Sequence, residues 1–105
     1  MEITSAFAAL SHPARFAIVE RLLREGELAA GELAQPAISA PAMSHHFKVL
    51  REAGILRQRV DAQRRLYSVR PQAVRAIGKW SLTYRAFWEQ SLDRLDAALK
   101  KENRK

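Results

Sequence analysis

Apolar residues recur along the chain at two different periods, and the change of period divides it into elements. Ile3, Phe7 and Leu10 stand at helical spacing and predict a short first helix, interrupted by Ser11-His12-Pro13. Ser11 is expected to cap the second helix, and Pro13 suits its first turn, where a missing N–H has no intrahelical partner to lose. Phe16, Ile18, Val19, Leu22 and Leu23 form the apolar stripe of that helix, and Arg24 with Gly26 marks its end. A short third helix is expected over Gly31 to Gln35, closed by Pro36, which disfavours a helical conformation in the residue before it.

Ser39 is the expected cap of a fourth helix, with Pro41 in its first turn. Met43, Phe47 and Leu50 mark the inward face at i, i+4 and i+7. Gly54 stops it. The period then shortens: Ile55 to Val60 and Arg64 to Val69, separated by Asp61-Ala62-Gln63, predict a β-hairpin with arginines on both arms. From Pro71 the helical period returns through Val74, Ile77, Trp80, Tyr84, Phe87, Trp88, Leu92, Leu95 and Leu99. Gly78 and Ser81 are expected to permit a bend between a shorter and a longer piece. The fold class is mainly α with a small β-hairpin, and 105 residues suit a single domain.

Charge sharpens this layout. The chain carries 18 Lys and Arg against 11 Asp and Glu, a net charge of +7. Residues 1–40 hold 3 basic and 5 acidic side chains, residues 41–79 hold 9 and 2, and residues 80–105 hold 6 and 4. The segment balances are −2, +7 and +2, so the whole excess lies on the fourth helix, the hairpin and the start of the last helix. A basic excess concentrated in this way points to a polyanionic partner, with a merely solvated basic surface as the alternative.

A helix, a short turn and a second helix with a polar outer face are the parts of a helix-turn-helix, whose second helix enters the DNA major groove. The basic hairpin after it would be a wing. Along the outer face run Ala42, Ser44, His45, Lys48, Arg51 and Glu52, behind the cap Ser39. Ser44, His45 and His46 can reach base edges or phosphates, and Lys48, Arg51, Arg57, Arg59, Arg64 and Arg65 can neutralise phosphates. His46, next to Phe47, is equally open to a packed, hydrogen-bonded role.

Four stretches carry a family resemblance: Ala9-Leu10-Ser11-His12-Pro13-Ala14-Arg15-Phe16, Gly31-Glu32-Leu33-Ala34, Met43-Ser44-His45-His46-Phe47-Lys48-Val49-Leu50-Arg51-Glu52-Ala53-Gly54-Ile55-Leu56, and Arg64-Arg65-Leu66-Tyr67-Ser68-Val69. Together they resemble the ArsR/SmtB family of bacterial winged-helix repressors, from about Ile3 to Val69. The aromatic last helix looks like that of a subgroup. The resemblance implies a recognition helix over residues 40–53, a wing over Arg57 to Tyr67 within the hairpin of residues 55–69, and a homodimer interface on the first and last helices, the last over residues 72–100. It also implies a double-stranded DNA operator as partner and an autoregulated repressor that leaves it when an inducer binds.

The chain departs from that pattern where metal-sensing relatives carry cysteines, at positions that here are Ala29 and Gly31. The sequence contains no cysteine and no histidine beyond His46. Glu89, Asp93 and Asp96 alone would make a poor soft-metal site, and the neighbours His45 and His46 diverge on a helix. Neither a metal nor a cofactor is expected.

Trp80, Tyr84, Phe87 and Trp88 are half of the eight aromatic residues, within about three turns of one helix. With Ile3, Phe7, Leu92 and Leu95 they are expected to form a dimer core, an apolar inducer pocket being the alternative. No nucleophile with a paired base and no glycine-rich phosphate loop suggests an enzyme. The rival function is a winged-helix module for protein or RNA, which would more often expose apolar side chains where this chain has arginines. With neither a signal-peptide pattern nor a membrane-spanning run, the chain is expected to be cytoplasmic.

Overall fold

The computed structural model describes residues 1–103. Helix α1 (Ile3–Leu10) ends as the Ser11 hydroxyl donates back to the Ala8 carbonyl at 2.7 Å. Ser11 therefore closes α1 and does not cap α2 (Pro13–Glu25). His12 takes that role, its Nδ1 accepting from the Ala14 N–H at 3.1 Å with Pro13 at the first helical position. Ala14, Ile18, Val19 and Leu22 form the buried stripe of α2, whereas Phe16 and Leu23 lie on its exposed side.

After Gly26 comes β1 (Leu28–Ala29), a strand too short for any period to announce. The expected third helix is a single 3-10 turn over Ala30–Leu33. Helix α3 (Ala40–Glu52) is capped as expected, the Ser39 side chain accepting from the Ala42 N–H at 3.3 Å. Its C-terminus closes in a Schellman arrangement: Ile55 N–H donates to the Leu50 carbonyl and Gly54 N–H to that of Arg51, both at 3.0 Å. Gly54 has φ +79°, a conformation in which a Cβ would crowd the backbone.

Strands β2 (Leu56–Asp61) and β3 (Arg64–Val69) form the hairpin, and the sheet order is β1-β3-β2, all antiparallel. Asp61 pairs with Arg64, so the connection is the two residues Ala62-Gln63, one shorter than expected. Ala62 takes the positive φ the turn requires, +55°. Leu22, Leu33, Met43, Phe47, Leu50, Ile55 and Leu56 join α2, α3 and the sheet in one core.

The last region is one helix, α4 (Pro71–Glu102), unbroken at Gly78 and Ser81. A single helical glycine costs only about 1 kcal/mol, too little to divide 32 residues of otherwise favourable sequence. Helix α4 is about 48 Å long at 1.5 Å per residue. Only Ala73 along it is buried, and the molecule is drawn out to 73 Å.

Candidate nucleic-acid interface

Helix α3 turns Met43, His46, Phe47 and Leu50 inward. Ser44, His45, Lys48 and Arg51 project from its outer face with the cap Ser39, and Ala42 is half-buried at the margin. Lys48 is only loosely engaged with Glu52, at 3.9 Å, so its ammonium stays available. The outer face thus offers hydroxyl, imidazole, ammonium and guanidinium groups in succession, while the inner face locks the helix to the body.

His46 belongs to the second set. Only 8% of it is exposed, and its ring lies 4.5 Å from that of His12. Arg15 bridges the two helices: its Nε donates to the Ala9 carbonyl at 2.6 Å and its Nη1 lies 3.3 Å from His46 Nδ1. A guanidinium has no acceptor, so Nδ1 must accept and the ring is neutral, with its proton on Nε2. Burial pushes the His46 pKa below its usual value, and the neighbouring His12, Arg15 and His45 push it the same way. His46 is therefore the packed, hydrogen-bonded histidine of the two roles open to it, and it is withdrawn from the set of side chains facing solvent. Its place three residues after Met43, on the apolar stripe, is the signal in the sequence that marks this.

The wing is joined to α3 by an aromatic contact. Tyr67 of β3 stacks on Phe47 with ring centroids 4.3 Å apart, and its hydroxyl donates to Gln58 across the hairpin at 3.0 Å. Strand alternation puts Arg65 on the same face as Tyr67, and Arg57, Arg59 and Arg64 on the other. All four are exposed, but two are engaged. Arg59 makes a two-pronged ion pair with Glu27, Nε and Nη2 meeting the two carboxylate oxygens at 2.8 and 2.6 Å. Arg64 lies 3.4 Å from Glu32. The guanidinium of Arg59 holds the Glu27 carboxyl below the usual carboxylate range. Glu27 and Glu32 are the site residues missed by sequence reasoning, for both lie far from the wing in the chain.

The proposed interface residues of α1 and α4 lie apart from this surface. Ile3 and Phe7 are half-buried, and Phe7 meets Trp80 edge to face at 5.0 Å. Trp80, Tyr84, Phe87, Trp88, Leu92 and Leu95 are exposed, Phe87 by 61%. Ala29 and Gly31, where metal-sensing relatives carry cysteines, sit at β1 and the 3-10 turn. On α4, Glu89 pairs with Arg85 and Asp96 with Lys100. Among the described residues no group of three or more His, Cys, Asp or Glu side chains is placed to hold a metal ion, and no helix is long and apolar enough to cross a membrane.

A helix held by one face, with a polar second face beside a basic hairpin, defines a winged helix-turn-helix protein. A helix-turn-helix domain profile matches residues 10–59. The chain is 41% identical over 70 residues to the HTH-type transcriptional regulator YgaV of Escherichia coli strain K12, a match covering 66% of this chain and 71% of that one. It is 30% identical over 83 residues to the transcriptional repressor SdpR of Bacillus subtilis strain 168, covering 78% and 91% respectively. Among solved structures, an ArsR family transcriptional regulator superposes with a TM-score of 0.73 at 27% identity, over 83% of this chain and 96% of the other. The chain belongs to the ArsR family of winged helix-turn-helix, DNA-binding transcriptional regulators.

Proposed function

We propose that the chain acts as a homodimeric repressor that binds an inverted-repeat operator through α3 and the wing. The observation that carries this reading is the division of α3 into a locked inner face and a free outer one. Ser44 and His45 would meet base edges in the major groove, and Lys48, Arg51 and Arg65 would neutralise phosphates. Ser39, exposed at the N-terminus of α3, puts its hydroxyl where a phosphate can approach.

The second copy is supported by α4. A helix with Trp80 and Trp88 each nearly half exposed, followed by exposed Leu92, Leu95 and Leu99, leaves more contiguous apolar surface than a monomeric protein ordinarily presents to water. Packing it against a twofold-related copy, with α1 alongside, would set two α3 helices about 34 Å apart, one turn of DNA. Repression is supported by SdpR, named a repressor, over 91% of whose length the match extends.

Fluorescence anisotropy with duplexes from the promoter of the protein's own operon tests the reading. With roughly 6 to 10 phosphates neutralised per dimer, affinity is expected to fall about 10³- to 10⁵-fold between about 50 and 200 mM salt. Salt-insensitive binding, or equal affinity for promoter and random duplexes, would overturn it.

A further inference from the structure

Resting on the reading of the chain as an operator-binding protein, we propose that Glu27 is the positioning residue of the wing. It draws Arg59 away from DNA and across the sheet, leaving Arg57 and Arg65, the two wing arginines without an ion-pair partner among the described residues, to meet phosphate. In the order β1-β3-β2, Arg59 stands opposite Leu66, and Leu66 opposite Ala29, so these three residues form one row on one face. Glu27, two residues before Ala29, lies on that same side. The Arg59 side chain therefore spans β3 from one edge of the sheet to the other, over buried Leu66, before its guanidinium meets Glu27.

The far end of this strap is itself anchored. The Glu32 carboxylate accepts from the Ala29 N–H at 3.0 Å while facing Arg64, and the Glu32 carbonyl accepts from Arg21, which is paired with Glu25. A two-stranded ribbon is marginal by itself, and β1 pairs only with Leu66 and Tyr67, leaving the hairpin tip beyond it without a third strand. Glu32 reaches the tip at Arg64, Glu27 holds Arg59 in the last three-stranded row, and the Tyr67–Phe47 stack holds the base from the other face. An exposed pair of this kind adds little to stability, and two-pronged geometry is the form in which it fixes orientation instead.

The test is anisotropy over a range of salt, using duplexes that the wild-type protein selects from a random library. Arg59→Ala and Glu27→Gln are each expected to weaken binding severalfold, with the salt slope unchanged. Arg65→Ala is expected to weaken binding and to make the slope shallower by about 0.9 per protomer, one phosphate contact. Exchanging the charges, Glu27→Arg with Arg59→Glu, is expected to restore wild-type affinity. A shallower slope for Arg59→Ala, tighter and more salt-dependent binding by Glu27→Gln, or no recovery on a folded charge-exchanged variant would each overturn the proposal. Both single variants are exposed changes, so they decide the matter even if the double variant fails to fold. A wild-type chain that selects no duplex overturns the operator reading first, and this inference with it.

Discussion

His46 and its neighbours show how α3 is held by groups turned away from its outer face. The neutral imidazole accepts from Arg15, which also donates to Ala9, so one guanidinium ties α3 to the end of α1. Protonation would set a cation against Arg15 with His12 and His45 close by. Because the His46 pKa is lowered in the fold, the unfolded chain takes up the proton first as pH falls. The stabilising contribution is thus complete above the ordinary histidine value near 6.5 and is lost progressively below it. Urea denaturation at pH 7.5 and pH 5 is expected to show lower stability at the acid value, with a smaller difference in His46→Phe; an equal difference in both proteins would disprove the assignment. On the outer face, replacing Ser44 or His45 with Ala is expected to change preference among duplexes by about 1–3 kcal/mol. Competition between the selected duplex and single-base variants measures it, and a uniform loss would move these residues from base contacts to phosphate contacts.

At the scale of elements, the ends of helices carry more information than their middles. Pro13, Ser39, Gly26 and Gly54 each stand where the backbone begins or ends a helix. At Gly54 a φ of +79° completes the Schellman closure and delivers Ile55 and Leu56 into the core. Gly54→Ala is expected to destabilise the protein by about 1–2 kcal/mol, the cost of a left-handed residue with a Cβ, read as a lowered denaturation midpoint with unchanged slope. The hairpin turn is the converse case, for Ala62 already occupies such a conformation at +55°. Ala62→Gly relieves that strain but increases the freedom of the unfolded chain, so the two effects are expected to offset within about 1 kcal/mol. A loss of several kcal/mol in the same denaturation experiment would show that the Ala62 methyl group has a role of its own.

At the scale of the whole molecule, the body and the extension of α4 follow different physical rules. The body buries Ile18, Leu50, Ile55 and Leu56 almost completely, whereas the helix beyond Trp80 has scarcely any partner within its own chain. Trp80, Tyr84 and Trp88 meet one another along the helix, with centroids 5.3 and 6.0 Å apart, but their outer faces stay open. If these faces form the dimer core, one buried charge there should exceed the stabilisation available to the interface. Leu92→Asp is expected to convert the protein to a monomer in sedimentation and to weaken operator binding more than tenfold, a loss of over about 1.4 kcal/mol, while the body retains its fold. A variant that remains dimeric would place the interface elsewhere.

What the sequence determined by itself is local: the stops of α2 and α3, the cap of α3, the hairpin after Gly54, the outer face of α3 and the segment holding the positive charge. Each rests on contacts within a few residues, where propensity, capping and period act directly. The resemblance to a winged-helix family was legible for the same reason, because its signature lies in one continuous helix and the turn after it. The tertiary structure decided the rest. It decided that His12 and not Ser11 caps α2, that His46 faces Arg15, that two residues form β1, and that α4 runs straight through Gly78. It also decided which wing arginines are engaged, since Arg59 lies 32 residues from Glu27 and meets it only through the β1-β3-β2 register. A row of arginines reads as uniform along the chain, and only the sheet, by alternating its faces, gives Arg59 and Arg64 carboxylates and turns Arg65 to the other side.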